Sequence, residues 1–315
     1  MYNTFIATLT PMVNMFLLIA AGYILRKLNI LPENSGNILS KLETYLLVPS
    51  VSLYTMLTFG STEAYSSHMP TILYATLAVA LSIGVALPLS QAFMPTDEYK
   101  RGIYKYALTF ANYGFMGNAI VPYILGGDEH LFNYILYTIP LAIITNTWGF
   151  SQLIPKDKNK SSLLRILNPS TVALILGLFL SITGLSRFIP AAAKDAVESL
   201  KQCMGPIAMV LTGYVLAGYS FTDLLLNKKV YAATFLRLFI LPAFLIIVLK
   251  IFGADSYTLT LTLFAFATPL GLNTVVFPAA YGADTKTGAS MAMISHILSV
   301  ISIPIMYMVF SHFIK

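Results

Sequence analysis

The chain has 315 residues, of which 57% are hydrophobic and only 10% charged. Soluble domains carry about 25% charged residues, so this composition excludes a soluble enzyme, a disordered chain and a disulfide scaffold. With a mean hydropathy of +0.75 it points to a polytopic helical membrane protein. The net charge of +6 has meaning only by location, because basic residues mark the cytoplasmic side of such a protein. The single cysteine, Cys203, permits no intrachain disulfide.

Apolar stretches predict ten membrane-crossing helices, over 5–26, 38–59, 70–94, 103–126, 131–153, 169–189, 199–219, 229–252, 257–281 and 289–313. Each reaches the ~20 residues that a bilayer core requires. Most contain Pro or Gly, which such helices tolerate when neighbours re-satisfy the backbone. Segment length and the lack of alternation exclude a β-barrel. Met1-Tyr2-Asn3-Thr4-Phe5 has no positive n-region, and Arg26-Lys27 follow the first apolar stretch. This predicts an uncleaved first helix inserted with its N-terminus outside.

Span two carries Glu43, with Ser50, Ser52 and Tyr54 beyond it. A charge at the bilayer centre costs about 2.5–3.5 kcal/mol on insertion scales, so each needs a reason. Glu43 either carries a coupling proton, pairs with Lys41 or another basic residue, or lines the cytoplasmic mouth. Its echo Glu198, with Lys201 and Gln202, opens span seven at the interface. Asn146 in span five, and the span-two hydroxyls, either face a cavity or hydrogen-bond between helices. Arg237 in span eight either snorkels to the inner interface or balances an anion in the interior. His296 in span ten either couples a proton or is a hydrogen-bonded packing residue. Trp148 and the many tyrosines near span ends fit an aromatic belt.

Counting Lys and Arg sets the orientation. With the N-terminus outside, the inner connections hold 13 of them, including Lys156, Lys158, Lys160 and Arg165, and the outer side holds five. Both termini are therefore expected on the non-cytoplasmic side of the cell membrane. The Lys156–Lys160 run reads as a cytoplasmic anchor, not a nucleic-acid patch.

Sliding the sequence by 156 places Phe110-Ala111 on Phe266-Ala267, Pro122 on Pro278, Gly126 on Gly282 and Asp128 on Asp284. Looser echoes pair Glu43 with Glu198, Pro49 with Pro206 and Pro11 with Pro169. The pattern predicts two halves of five spans each. An odd number of spans gives the halves opposite orientation, as in the inverted repeats of secondary transporters.

The repeat is strongest in spans four and nine, where each helix has a weak point. Span four reads Ala111-Asn112-Tyr113-Gly114-Phe115-Met116-Gly117-Asn118, and span nine reads Thr268-Pro269-Leu270-Gly271-Leu272-Asn273-Thr274. Pro removes a backbone donor and Gly eases irregular backbone. The alternatives are two kinked, packed helices or two breaks that bring half-helix N-termini together. The second makes an anion site, because those ends carry partial positive charge and unpaired N–H groups. Asn112, Asn118, Thr268, Asn273 and Thr274 would add neutral hydrogen-bond partners.

Asn112-Tyr113-Gly114-Phe115-Met116-Gly117, then Asn168-Pro169 with Gly177, then Tyr45-Leu46-Leu47-Val48-Pro49, resemble the auxin efflux carrier family. That family includes plant auxin exporters and bacterial carriers assigned to malate or malonate. The resemblance covers essentially the whole chain. It implies ten helices in two inverted five-helix repeats, with crossed broken helices four and nine, a crossover fold like that of sodium/proton antiporters. Scaffold helices would occupy 1–66 and 169–222. Transport-domain helices would occupy 67–154 and 223–315, with a cytoplasmic linker at 155–168. Family members often have Pro-Asn at the first crossing. Here it is Ala111-Asn112, so the Asn matches and the Pro does not, while Pro269-Leu270-Gly271 keeps the Pro-x-Gly pattern.

The expected function is elevator-type transport of an organic carboxylate anion at the crossing. Substrate contacts are expected from Asn112, Tyr113, Gly114, Gly117, Asn118, Thr268, Pro269, Gly271, Asn273, Thr274, Ser52 and Asn146. Glu43, His296 and Arg237 are the coupling candidates. No cofactor or metal is expected. The partners are the anion, the bilayer and a second copy through the scaffold helices. The alternatives are a sodium-coupled carboxylate or bile-acid-type symporter and a non-transporting membrane sensor. Enzyme readings fail for want of a zinc-binding His pair, a Walker loop or a nucleophile elbow.

Overall fold

The computed structural model describes residues 2–154 and 167–314, and all regular structure among them is helical. The basic anchor Lys156, Lys158, Lys160 and Arg165, and most of the expected linker 155–168, lie outside the described residues. Spans one, three, six, seven and ten are single helices, Tyr2–Lys27, Met69–Phe93, Pro169–Ile182, Ala191–Leu216 and Lys286–Ile314. Spans two, five and eight each continue through one π-helical turn, at Glu43–Leu47, Thr145–Gly149 and Leu236–Ile240. Spans four and nine are interrupted. Glu98–Thr109 is followed by a π-helical turn at Tyr113–Gly117 and by Asn118–Leu125, and Ser256–Ala267 is followed by Asn273–Ala280. Among the described residues, four stretches are long and apolar enough to cross a membrane unbroken: Phe5–Lys27, Met69–Phe93, Lys228–Ile251 and Lys286–Phe313.

Local chemistry sets the helix ends. Asn168 accepts the Thr171 N–H ahead of Pro169 at the first helical position. Asp97 and Asp255 cap the two interrupted spans through Lys100 N and Thr258 N. The Lys100 backbone N–H is also what holds the Asp97 carboxyl below its usual range. Two expected boundaries move by more than five residues. Span six stops at Ile182, not 189, because Gly184 takes a left-handed φ of 71° and ends the helix. Span seven starts at Ala191, not 199. Three alanines favour helix there, and the charged Lys194, Asp195 and Glu198 are accommodated on a turn outside the apolar stretch.

Spans one and seven approach most closely through glycines. A Cβ on Gly22 would lie 2.0 Å from Val210 O, and one on Gly213 would lie 1.8 Å from Ile19 O. Small residues let membrane helices bring their backbones together, where dispersion replaces the missing hydrophobic drive. Span two packs on span six in turn, with Gly177 against Met56. Spans four and five pack on span three, and spans nine and ten pack on span eight.

Among the described residues, these hydrogen bonds and ion pairs between span ends join ends that the charge count assigns to one side. Expected inside, Arg26 donates to Tyr214 O, Tyr214 to Pro32 O, Tyr99 to Asp284 O and Lys229 to Phe93 O, and Lys286 pairs with Asp223. Expected outside, Tyr65 bonds Ser181, Tyr74 donates to Phe252 O, His130 bonds Tyr257 and Lys201 pairs with Asp128.

Gly213→Leu should therefore push spans one and seven apart and cost about 1–3 kcal/mol, the range for overpacking. Gly84 faces open space inside span three, so Gly84→Ala should be neutral or slightly stabilising. Melting of the two purified variants in detergent checks the contrast.

Candidate functional site

The two interruptions lie against each other. Span four leaves helix at Phe110, whose φ and ψ of −113° and 140° are extended, and Asn112 sits at −81° and 45°. Span nine leaves helix at Thr268, at −67° and 153°. The backbone N–H of Asn112 donates to Pro269 O at 2.7 Å, so one break satisfies the other. The missing proline at position 111 does not prevent the first break. Asn112 O then accepts from both Met116 N and Gly117 N at 3.0 Å, which starts the π-helical turn.

Side chains extend the junction. Asn112 is 4% exposed, and a Cβ on Gly271 would stand 3.2 Å from Asn112 Oδ1. Asn273 donates to Tyr106 OH at 2.8 Å, which ties the second break to the helix before the first. Leu270 N donates to Ser295 Oγ of span ten at 3.0 Å. Thr274 donates to Gly271 O, and buried Thr268 Oγ1 has no partner. Tyr113 donates to Thr145 Oγ1 at 3.1 Å. Asn118 is buried at the start of the helix that follows.

Two glycines differ in their surroundings. Gly114 faces open space, whereas a Cβ on Gly117 would stand 2.1 Å from Tyr134 OH. That hydroxyl donates to Tyr113 O at 3.2 Å and also lies 3.4 Å from Phe264 O. Tyr134 thus braces both interrupted spans from span five. Tyr113 and Asn273 are half-buried beside the breaks.

The turns after the breaks end alike. Gly126 and Gly282 take left-handed φ of 90° and 65°, and the next residue donates its N–H to the repeat-related Pro122 O or Pro278 O, at 2.9 and 3.0 Å. Each segment after a break is an eight-residue helix, Asn118–Leu125 and Asn273–Ala280.

Other expected residues fall elsewhere. Ser52 Oγ lies 3.5 Å from Ser170 Oγ of span six, away from the breaks. Asn146 donates to Ala142 O on its own helix, a bond that a local partner takes first. Ser50 likewise donates to Leu47 O, and Tyr54 lies under the Lys201 ammonium. Glu43 does not pair with Lys41, because residues two apart do not face each other on a helix. Nor does it line an open mouth: it is 0% exposed, and both carboxyl oxygens lack partners. Arg237 does not snorkel. It is 2% exposed, with all three guanidinium nitrogens unpartnered. His296 Nδ1 bonds Ala292 O at 2.7 Å, and its Nε2 is buried without a partner.

Sequence reasoning missed Tyr106, Tyr134, Thr145 and Ser295, which reach the breaks from distant positions. Of these only Thr145 lies in a π-helical turn, whereas the expected residues Glu43, Tyr113, Gly114, Gly117, Asn146 and Arg237 all do. Such turns occur frequently at functional sites.

The sequence matches a family described as membrane transport protein over residues 7–162 and 157–307. The chain belongs to this family, the auxin efflux carrier family, and is a multi-pass membrane protein. No curated protein matches it.

Gly117→Ala should abolish activity by driving a methyl group into Tyr134. Adding Tyr134→Phe removes the nearest atom, at a cost of about 1 kcal/mol for the lost hydrogen bond, and should restore part of it. Activity and melting temperature of the single and double variants check this coupling.

Proposed function

We propose that this membrane transport protein moves an organic carboxylate anion across the cell membrane, with the cargo held where spans four and nine are interrupted. The observation that carries the reading is the Asn112 N to Pro269 O bond, which joins two breaks at repeat-related positions. Irregular backbone at membrane depth is tolerated only where it is buried in protein or lines a wet cavity. A helix resumes just beyond each break, at Tyr113 and at Asn273, and in this reading the two N-terminal ends face the cargo together. The partial positive charge of those ends favours a carboxylate over a cation or a neutral solute. Asn112, Asn273 and Thr268 offer neutral bonds that fix its orientation.

Movement follows from how the spans group. Spans one and seven, with two and six, form the scaffold of the proposal, 1–66 and 169–222. The segments 67–154 and 223–315 carry the two breaks as one body. Packing of spans four and five on three, mirrored by nine and ten on eight, supports that division and the inverted repeat. The body would slide past the scaffold along the faces where span one meets span ten and span two meets span five. Without an ATP site in the sequence, the gradient of the anion or of a coupled ion drives the step. Glu43 and His296 are the proton candidates, and both termini lie on the non-cytoplasmic side. A second copy would dock through the scaffold.

Asn112→Ala should abolish exchange of labelled carboxylate in proteoliposomes while leaving the melting temperature within a few degrees of wild type. Unchanged uptake would remove the break from the cargo path. Running the same assay with and without sodium separates this reading from a sodium-coupled symporter.

A further inference from the structure

The ends of spans one and seven, which carry neither break, flank a cavity of about 250 Å³. One water needs roughly 10–15 Å³, so a polyatomic group fits there. Arg26 and Lys27, in the last turn of span one, line it. Asn29 and Glu33 join them from the loop that follows, and Tyr214 and Gly218 from the end of span seven.

Arg26 is held in place from three sides. Its Nη1 donates at 3.1 Å to Tyr214 O, one of the carbonyls that a helix leaves unpaired in its last turn. Its guanidinium carbon lies 4.9 Å from the centre of the Tyr214 ring. A Cβ on Gly218 would stand 2.6 Å from Nη2, so the guanidinium settles against bare backbone. Tyr214 in turn donates to Pro32 O, which fixes the loop that carries Glu33. The Tyr214 carbonyl takes one of the five guanidinium donors. The ion pairs among the described residues are Lys100–Asp97, Lys201–Asp128 and Lys286–Asp223, and none involves Arg26 or Lys27. Two cations thus border a roomy polar cavity without a counter-ion.

We infer that this cavity binds the headgroup of a phospholipid, with its phosphate on Arg26 and Lys27 and a terminal ammonium toward Glu33. Basic pockets between membrane helices at the interface take lipid headgroups. The guanidinium fork matches phosphate oxygens, and the Lys27 ammonium adds a point charge. Glu33 selects the rest of the headgroup. A carboxylate in the lining repels a headgroup whose only charge is negative and attracts one that ends in an ammonium. Phosphatidylethanolamine has that pattern and phosphatidylglycerol does not. Inorganic phosphate shares the contacts to Arg26 and Lys27 but has no tails. Leu17, Ile24 and Leu28 are exposed along one face of span one, and that face leads to Lys27. Lipid tails lie along it while the headgroup fills the cavity. The bound lipid joins the ends of spans one and seven beyond their close approach at Gly22 and Gly213.

The test uses full-length protein purified in detergent. Native mass spectrometry reads lipid retention, and the melting temperature is followed with each addition. The lipids are phosphatidylethanolamine, phosphatidylglycerol and phosphatidylcholine, whose ammonium has no N–H. Inorganic phosphate and phosphoethanolamine are the probes without tails. Wild type should retain phosphatidylethanolamine in preference to the other two lipids and melt higher with it. Neither tail-free probe should reproduce the rise at the same concentration. Lys27→Gln should weaken retention by about tenfold, the scale of one charge-assisted contact. It leaves the Arg26 bond to Tyr214 intact, so it stands in if Arg26→Gln fails to fold. Glu33→Gln should weaken retention of phosphatidylethanolamine and strengthen that of phosphatidylglycerol. If Lys27→Gln retains phosphatidylethanolamine like wild type, the cavity is not its headgroup site. If wild type prefers phosphatidylglycerol, or Glu33→Gln leaves the preference unchanged, the ammonium assignment is overturned. If inorganic phosphate raises the melting temperature as far as the lipid does, the cavity holds a free anion and the lipid assignment is overturned.

Discussion

The hydrogen bond between Asn112 N and Pro269 O is the contact on which the rest of the structure turns. A helix that stops inside a membrane leaves backbone groups that lipid cannot satisfy. Each interrupted span meets that demand by using the other. Neither break is tolerable alone at that depth, so spans four and nine must be held together by what surrounds them. Tyr134 braces Tyr113 and approaches Phe264, Ser295 holds Leu270, and Tyr106 holds Asn273. These bonds come from spans four, five and ten. They tie the two breaks to each other and to those spans.

The same economy explains where the costly residues sit. Glu43 and Arg237 are each in a π-helical turn, as are Tyr113 and the Thr145 it bonds. A π-helical turn inserts one residue into the helical ladder, which shifts the facing of whatever follows. For Arg237 the outcome is a buried guanidinium aimed at a cavity beside the second break. For Glu43 it is a carboxyl sealed from water with no basic partner.

Much of the architecture was legible because its signals are local or periodic. Hydropathy located the apolar helices, and Asn168-Pro169 announced the start of the one at Pro169–Ile182. Pro269 and Gly271 marked the second break. The repeat anticipated that Gly126 and Gly282 close equivalent turns. The first break was legible only through that repeat, since position 111 holds alanine where a proline would have marked it. Span seven was misjudged by eight residues because its first turns carry charge, and hydropathy cannot separate a helix that projects from the membrane from a loop. The residues that fix the junction were not legible. Tyr106 and Asn273 are 167 positions apart, and nothing local to either signals the bond. Facing was the other blind spot. Ser52 and Asn146 are polar residues at plausible depths, yet one turns to span six and the other to its own helix.

The central claim is that this junction carries a carboxylate across a membrane. The most direct measurement is counterflow with the wild-type protein in proteoliposomes, preloaded with a panel of unlabelled carboxylates and free of sodium. The account predicts that at least one internal acid accelerates uptake of its labelled counterpart, and that protein-free vesicles do not respond. Folded protein that exchanges none of the acids, with or without sodium, would contradict it.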